Sequence, residues 1–283
     1  MFSDLRPHKS DVIQVQRSNV FHSQVQLPPT KPSIDLNCDV GESYGAYRIG
    51  NDEALLKLAS SVNIACGYHG GDPAVMRRTV ELAVENGVAI GAHPGLPDLA
   101  GFGRRTISVS AEEVEDITLY QIAALEGFVR VCGGAMKHVK PHGALYNMLA
   151  TSAELSEAFA RAVAGFDSRL IVVGLAGSIF VRMSEEMGLI TAHEAFADRT
   201  YQPDGSLTPR SRPNALMQST GEAAAQAVEI ALHNRAFATD SSELRIKADT
   251  ICLHGDSPQS AKYARAVVRA LKAAGIEIRP LLV

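Results

Sequence analysis

Seven times along this chain a short apolar run gives way to a long amphipathic stretch and then to another apolar run. That rhythm restricts the fold more tightly than any other feature. The predicted strands are IDLNC (34–38), VNIAC (62–66), VAIGA (88–92), MKHVK (136–140), LIVVG (170–174), LITA (189–192), TICLH (250–254) and IEIRPLL (276–282). Helical patterns such as DPAVMRRTVELAVENG and SAEEVEDITLYQIAALEGFVRVCG lie between them. Capping residues (Asn51, Ser110, Ser152, Ser257) open several of these, and Gly87, Gly133, Gly188 and Gly275 close them, as helix start and stop signals do. Strand and helix in strict alternation build a parallel sheet. No GxGxxG follows the first strand, which counts against a dinucleotide-binding sheet. The expected fold is therefore α/β, a distorted (β/α) barrel of seven or eight mostly parallel strands.

Residues 1–32 stand apart. They are polar, lack the apolar middle of a signal peptide, and end in LPPTKP, a linker-like run. We expect a flexible extension there, followed by one barrel domain over 33–283. A chain of 283 residues, 46% hydrophobic with net charge −4, can bury a large core. The mild acidity argues against nucleic acid as a partner, and no apolar run reaches the ~18 residues that span a bilayer. Four widely spaced cysteines without a CxxC pair fit free thiols in a reducing cytoplasm.

The first strand raises a chemical question. Asp35, Asn37 and Asp39 alternate with Ile34, Leu36, Cys38 and Val40, so three short oxygen-bearing side chains share one face of a strand, although Asp and Asn are poor strand formers. In a (β/α) barrel the active site forms at the C-terminal strand ends. Those ends read NCDVGES, ACGYHGGDP, GAHPGLPDLAGFGRR, HVKPHGALYN, AHEAFADR and LHGDSP. Parity puts Asn63 and His69 on one face of the second strand, His93 on the third, His138, Lys140 and His142 on the fourth, and Cys252, His254 and Asp256 on the seventh. The ladder thus faces the barrel interior, toward His and Lys from neighbouring strands. His8, His22 and His233 lie outside the pattern.

Such a set can hold a divalent metal beside an activated water, or work without metal as acid and base around a carbonyl. The spacing leaves both open. For a metal, the candidate ligands are His69, His93 and Asp35 or Asp39. Arg104 and Arg105 suit a carboxylate or phosphate. The long Pro-, Gly- and Arg-rich segment 197–218 reads as a lid or substrate loop. Neither GxSxG nor a Walker A loop is present.

The runs IDLNCDVGES, SVNIACGYHGGDP, GVAIGAHPGLPDLAGFGRR, HVKPHGALYN, EAFADRTY and ADTICLHGD closely resemble the LamB/YcsF family, the A subunits of prokaryotic 5-oxoprolinase. The resemblance runs from about residue 33 to the C-terminus. This chain has Val40–Ser43 and Tyr68–Gly71 where the family often reads Met-Gly-Glu-Gly and Phe-His-Ala-Gly; Glu42 and His69 are kept. The resemblance implies a barrel related to the polysaccharide deacetylases, whose relatives often bind metal through Asp-His-His. It also implies ATP-dependent opening of 5-oxo-L-proline to L-glutamate with partner subunits B and C. On that reading Asp39 or His142 is the base, Lys140 or Arg105 holds anionic oxygens, and Glu194 joins the catalytic set. Asn37, Glu42, Asn63, Arg104, Asp198, Arg199, His254 and Asp256 contact substrate. A stand-alone metal-dependent deacetylase or amidohydrolase and a non-catalytic subunit of a carboxylase-like complex are the alternatives, and a homo-oligomer is left open.

Overall fold

A computed structural model describes residues 31–256 and 259–281. Residues 1–30 of the flexible extension expected over 1–32, and the cap expected at Ser257, lie outside the described residues. Seven parallel strands close into a barrel: β1 (Ser33–Val40), β2 (Ser61–Ala65), β3 (Ala89–His93), β4 (Met136–Val139), β5 (Ile171–Leu175), β6 (Thr191–Phe196) and, after two short strands, β9 (Thr250–Leu253). Closure is explicit, because β1 pairs with β2 on one side and with β9 on the other. Around it run α1 (Asp52–Leu55), α2 (Pro73–Glu85), α3 (Ala111–Val131), α4 (Gly143–Thr151), α5 (Ala153–Asp167), α6 (Ile179–Glu186), α7 (Thr220–His233) and α8 (Ser260–Ala273). None of the described helices is long and apolar enough to cross a membrane.

Local chemistry fixes the helix ends. Asp72 caps α2 ahead of Pro73, accepting from the amides of Ala74 and Val75. Ser110 and Glu113 form a capping box on α3, as do Ser219 and Glu222 on α7. Gly87 and Gly133 leave α2 and α3 at φ 64° and 75°, a left-handed exit that glycine makes cheaply.

Three features depart from the sequence expectation. β6 runs on through His193 and Glu194 to Phe196, because a polar residue facing a polar lumen does not end a strand. Arg235–Phe237 (β7) and Glu243–Arg245 (β8) form an antiparallel hairpin before β9. The last strand, β10 (Glu277–Ile278), has two residues rather than seven and pairs only with Ser33 and Ile34; Pro280, two residues on, has no N–H to donate.

Strand parity divides the apolar residues into two layers. Leu36, Cys38 and Val40 point outward and pack against the helices. Inside, Ile171, Val173 and Ala192 form a separate small cluster with Leu281 against it, an apolar floor at the N-terminal end of the barrel. Above that floor the lumen is polar. All four cysteines are free thiols.

Candidate active site

The lumen fills in tiers set by the register of β1 against its neighbours. Asp35 lies lowest, opposite Thr250. Hydroxyls of Ser60, Ser61 and Thr250 donate to its carboxylate at 2.7, 2.7 and 2.5 Å. Burial raises its pKa, and these hydrogen bonds only partly oppose that. In the next tier the Asn37 amide donates to Glu194 Oε1 (3.0 Å) and Thr250 Oγ1 (2.7 Å), while its oxygen accepts from Asn63 (2.7 Å). His138 Nε2 lies 2.8 Å from Asn63 Oδ1, so it carries the proton and donates. Gly91 makes this possible: a Cβ there would collide with the His138 ring.

Asp39 and Lys140 form the third tier. Lys140 Nζ lies 2.8 Å from Glu194 Oε1, 3.0 Å from Asp39 Oδ1, 3.0 Å from Cys252 Sγ and 3.2 Å from Asn37 Oδ1. Burial would strip the ammonium of its proton, but the two carboxylates outweigh burial and hold its pKa well above the ordinary lysine value. Burial likewise works against the Asp39 carboxylate, yet the Lys140 ammonium keeps it well below the usual range.

At the mouth Glu42, His69, His93 and His142, all buried, bring one donor atom each to within 4.8 Å of one another. The tautomers here are constrained. His93 Nδ1 lies 2.8 Å from the Lys140 carbonyl, and His142 Nε2 lies 2.9 Å from the Phe102 carbonyl. A carbonyl only accepts, so each ring places its proton there. His93 Nε2 and His142 Nδ1 then face each other across 3.0 Å with lone pairs and no hydrogen between them. Glu42 Oε1 and both nitrogens of His69 have no hydrogen-bond partner. Glu42 Oε1 sits 3.4 Å from His69 Nε2 and 3.6 Å from His142 Nδ1. Buried polar atoms left bare in this way cost ~1–3 kcal/mol each.

A cation at their centre would satisfy all four. Three neutral imidazoles and one carboxylate suit a divalent transition metal such as zinc, manganese or cobalt. The carbonyl partners of His93 and His142 are the outer support that orients metal-binding imidazoles. Without a cation, burial and the nearby Asp39 and Asp256 charges push Glu42 well above the usual carboxylate pKa. Burial and neighbouring histidines push His69 and His142 well below theirs. Phe102 holds a left-handed backbone (φ 56°) that aims its carbonyl at His142. The next residue, Gly103, has no room for a Cβ, which would stand 2.7 Å from His69 and 2.8 Å from His142.

A cavity of about 570 Å³ opens above this group, lined by Asp39, His93, Lys140, His142, Tyr146 and His254 among others. At its rim Asp198 accepts from His254 Nδ1 at 3.0 Å, and Asp256 accepts from Arg104 at 2.5 Å.

The structure therefore sorts the candidates differently from the sequence. Asp35 is not brought to the Glu42–His69–His93–His142 cluster, since its oxygens are taken up by hydroxyls on the lower tier. Asp39 adjoins the cluster, 3.5 Å from His93, but is engaged by Lys140. Glu42 and His142 supply the remaining donors instead. Arg105 turns outward onto Asp98, with its side chain 66% exposed. Arg199 donates to the Ala215 and Thr208 carbonyls, pinning the 197–218 loop. That loop is folded, with Tyr201 bridged to Leu207, and its Ser206–Ser211 stretch walls the cavity. Sequence reasoning missed Tyr146, whose buried hydroxyl faces the Glu194 charge, and the carbonyl of Phe102. An aromatic residue inside a helix and a backbone oxygen carry no sequence signal.

The A subunit of the Bacillus licheniformis 5-oxoprolinase is 54% identical over 246 residues, covering 87% of this chain and 97% of that protein. Its Bacillus subtilis counterpart is also 54% identical, over 87% of this chain and 95% of that protein. The crystal structure of the lactam utilization protein from Thermus thermophilus superposes with a TM-score of 0.84 at 44% identity, covering 88% of this chain and all of that one. At the level of fold alone, a putative cellobiose-phosphate cleavage protein of Enterococcus faecalis matches with TM-score 0.52 and 13% identity, over 88% of this chain and 97% of that one. The LamB/YcsF family model matches residues 34–282, and the chain belongs to that family.

Proposed function

We propose that this chain is the ring-opening subunit of a cytoplasmic, ATP-dependent 5-oxoprolinase, working with B and C subunits to convert 5-oxo-L-proline to L-glutamate. The observation that carries this reading is the Glu42–His69–His93–His142 cluster beside the Lys140–Asp39 pair, with His93, His142, Lys140 and Asp39 lining one cavity. The names of the similar proteins point to the same substrate class.

A five-membered lactam is an unreactive amide, and ATP used with the partner subunits supplies a phosphoryl group to its oxygen that makes the ring carbon electrophilic. Attack by one water with departure of the ring nitrogen leaves an acyl phosphate, which a second water hydrolyses to glutamate and phosphate. A divalent ion held by Glu42, His69, His93 and His142 would lower the pKa of a water and polarise the lactam oxygen. With His142 Nδ1 committed to the cluster, Asp39 is the base that takes the proton of the attacking water. Lys140 keeps Asp39 ionised and fixed, and Glu194 and Asn37 hold Lys140 in turn. His254, held by Asp198 through Nδ1, has its pKa lowered by burial and so meets the departing ring nitrogen as a neutral imidazole, whose Nε2 takes a proton from water before passing it to that nitrogen. Asn63 positions Asp39 at 2.8 Å.

The test is glutamate release from 5-oxoproline and ATP, using the chain alone and then mixed with partner subunits. Product only from the complete mixture supports the proposal. Deacetylation of an acetylated sugar by the chain alone, without ATP, would replace it with an independent metal-dependent hydrolase.

A further inference from the structure

We propose that Arg210, with Arg104, binds the carboxylate of the lactam acid and so selects carboxylated lactams over plain ones; this rests on the function proposed above. Lys140 is saturated by Asp39, Glu194, Cys252 and Asn37. Arg105 is turned out to Asp98, and Arg199 spends its donors on loop carbonyls. Arg104 keeps one ion pair, with Asp256, and lies 4.8 Å over the Phe102 ring. Arg210 is different, because its Nη2 is buried in the cavity wall with no hydrogen-bond partner. A guanidinium donor left bare in this way is a ready site for an anion.

The segment that carries Arg210 is rigid where this matters. Thr200 Oγ1 bonds Thr208 Oγ1 at 2.7 Å, Arg199 reaches the Thr208 carbonyl at 2.6 Å, and the Arg212 amide closes a turn on the Pro209 carbonyl at 2.9 Å. Arg210 is thus presented from a hydrogen-bonded turn in the wall of the cavity that His93 and His142 also line. Burial lowers its pKa, and the like charge of Arg104 adds to that; the Asp256 and Asp198 carboxylates only partly compensate. An anion lying between the two guanidiniums would relieve their mutual repulsion. A lactam acid offers such a group on the carbon next to the ring nitrogen, on the side away from the carbonyl that must meet the floor.

The experiment compares 5-oxoproline with pyrrolidin-2-one, the same ring without its carboxylate, in the assembled ATP-supplied complex. Arg210→Gln should raise KM for 5-oxoproline about 100-fold, as loss of a charged partner does, with a far smaller effect on kcat. The preference over pyrrolidin-2-one should shrink by a similar factor. Arg210→Lys, which keeps the charge and loses the fork, should recover part of the KM and serves as the readout if the Gln variant does not fold. An unchanged KM in both variants overturns the inference. So does a loss confined to kcat, which would assign Arg210 to the phosphoryl oxygens. A wild-type complex that releases no glutamate removes the proposed function and this inference with it, whereas an active wild type with indifferent Arg210 variants removes only the inference.

Discussion

Lys140 Nζ and Glu194 Oε1 meet at 2.8 Å with both side chains almost completely out of solvent. Asp39 completes the group from the opposite strand at 3.0 Å. Removing one member of a buried ion pair leaves its partners uncompensated, which costs ~3–5 kcal/mol. We therefore expect Lys140→Met to lower the melting temperature by about 6–20 °C and to abolish glutamate release. Lys140→Met combined with Glu194→Gln should recover part of the stability but none of the activity. A double variant no more stable than Lys140→Met would show that Glu194 does not depend on the lysine.

Gly91 and His138 occupy the same volume of the lumen. Gly91→Ala pushes a methyl group into the imidazole and should cost ~1–3 kcal/mol by overpacking. His138→Ala removes the obstacle and leaves the Asn63 oxygen without its donor. In the double variant the methyl enters the space the ring has left, so the two losses should sum to more than the measured one. Additive losses by chemical denaturation would mean that the two residues do not share the space.

The fold is largely readable in the sequence because the alternation of strand and helix admits few arrangements, and strand parity alone puts Asp35, Asn37 and Asp39 on one face. The roles on that face were not readable. Whether Asp35 binds a metal depends on Ser60, Ser61 and Thr250, which come from the ends of other strands and look unremarkable in sequence. Glu42 and His142 reach the His69–His93 pair through turns beyond β1 and β4, where a period of two no longer applies. Arg104 and Arg105 are adjacent in sequence, yet one faces the cavity and the other solvent.

His138 sets the expected response to acid. Burial, together with the Lys140 charge, depresses its pKa from the usual 6.5 to about 3. A base whose folded pKa is depressed supports stability above its unfolded pKa and loses that support as pH falls. The window here is from about 6.5 down to about 3, where the unfolded chain binds a proton that the native chain refuses. This group alone should contribute ~1.4 kcal/mol of destabilisation per pH unit inside that window. His138→Gln can still donate to Asn63 and does not titrate, so its stability should fall less steeply between pH 6 and 4 than that of the wild type. Parallel curves for the two proteins would rule out this role for His138.

The facing lone pairs of His93 and His142, 3.0 Å apart, lead to a prediction that needs no substrate. The chain should bind about one zinc or manganese ion. Each of His93→Ala, His142→Ala and Glu42→Gln should weaken that binding by at least ~10–100-fold, the loss seen when only outer support for a ligand is removed. Asp35→Asn should leave the affinity within a few-fold of wild type, since Asp35 faces hydroxyls. Binding should also release protons. Burial holds Glu42 protonated above the usual carboxylate range, and a metal needs it ionised, so apparent affinity should rise with pH until Glu42 is deprotonated in the free protein. Metal titrations in buffers of different ionisation enthalpy would count those protons. Equal affinity in wild type and His142→Ala would show that His142 does not ligate the ion and would overturn the four-residue metal centre.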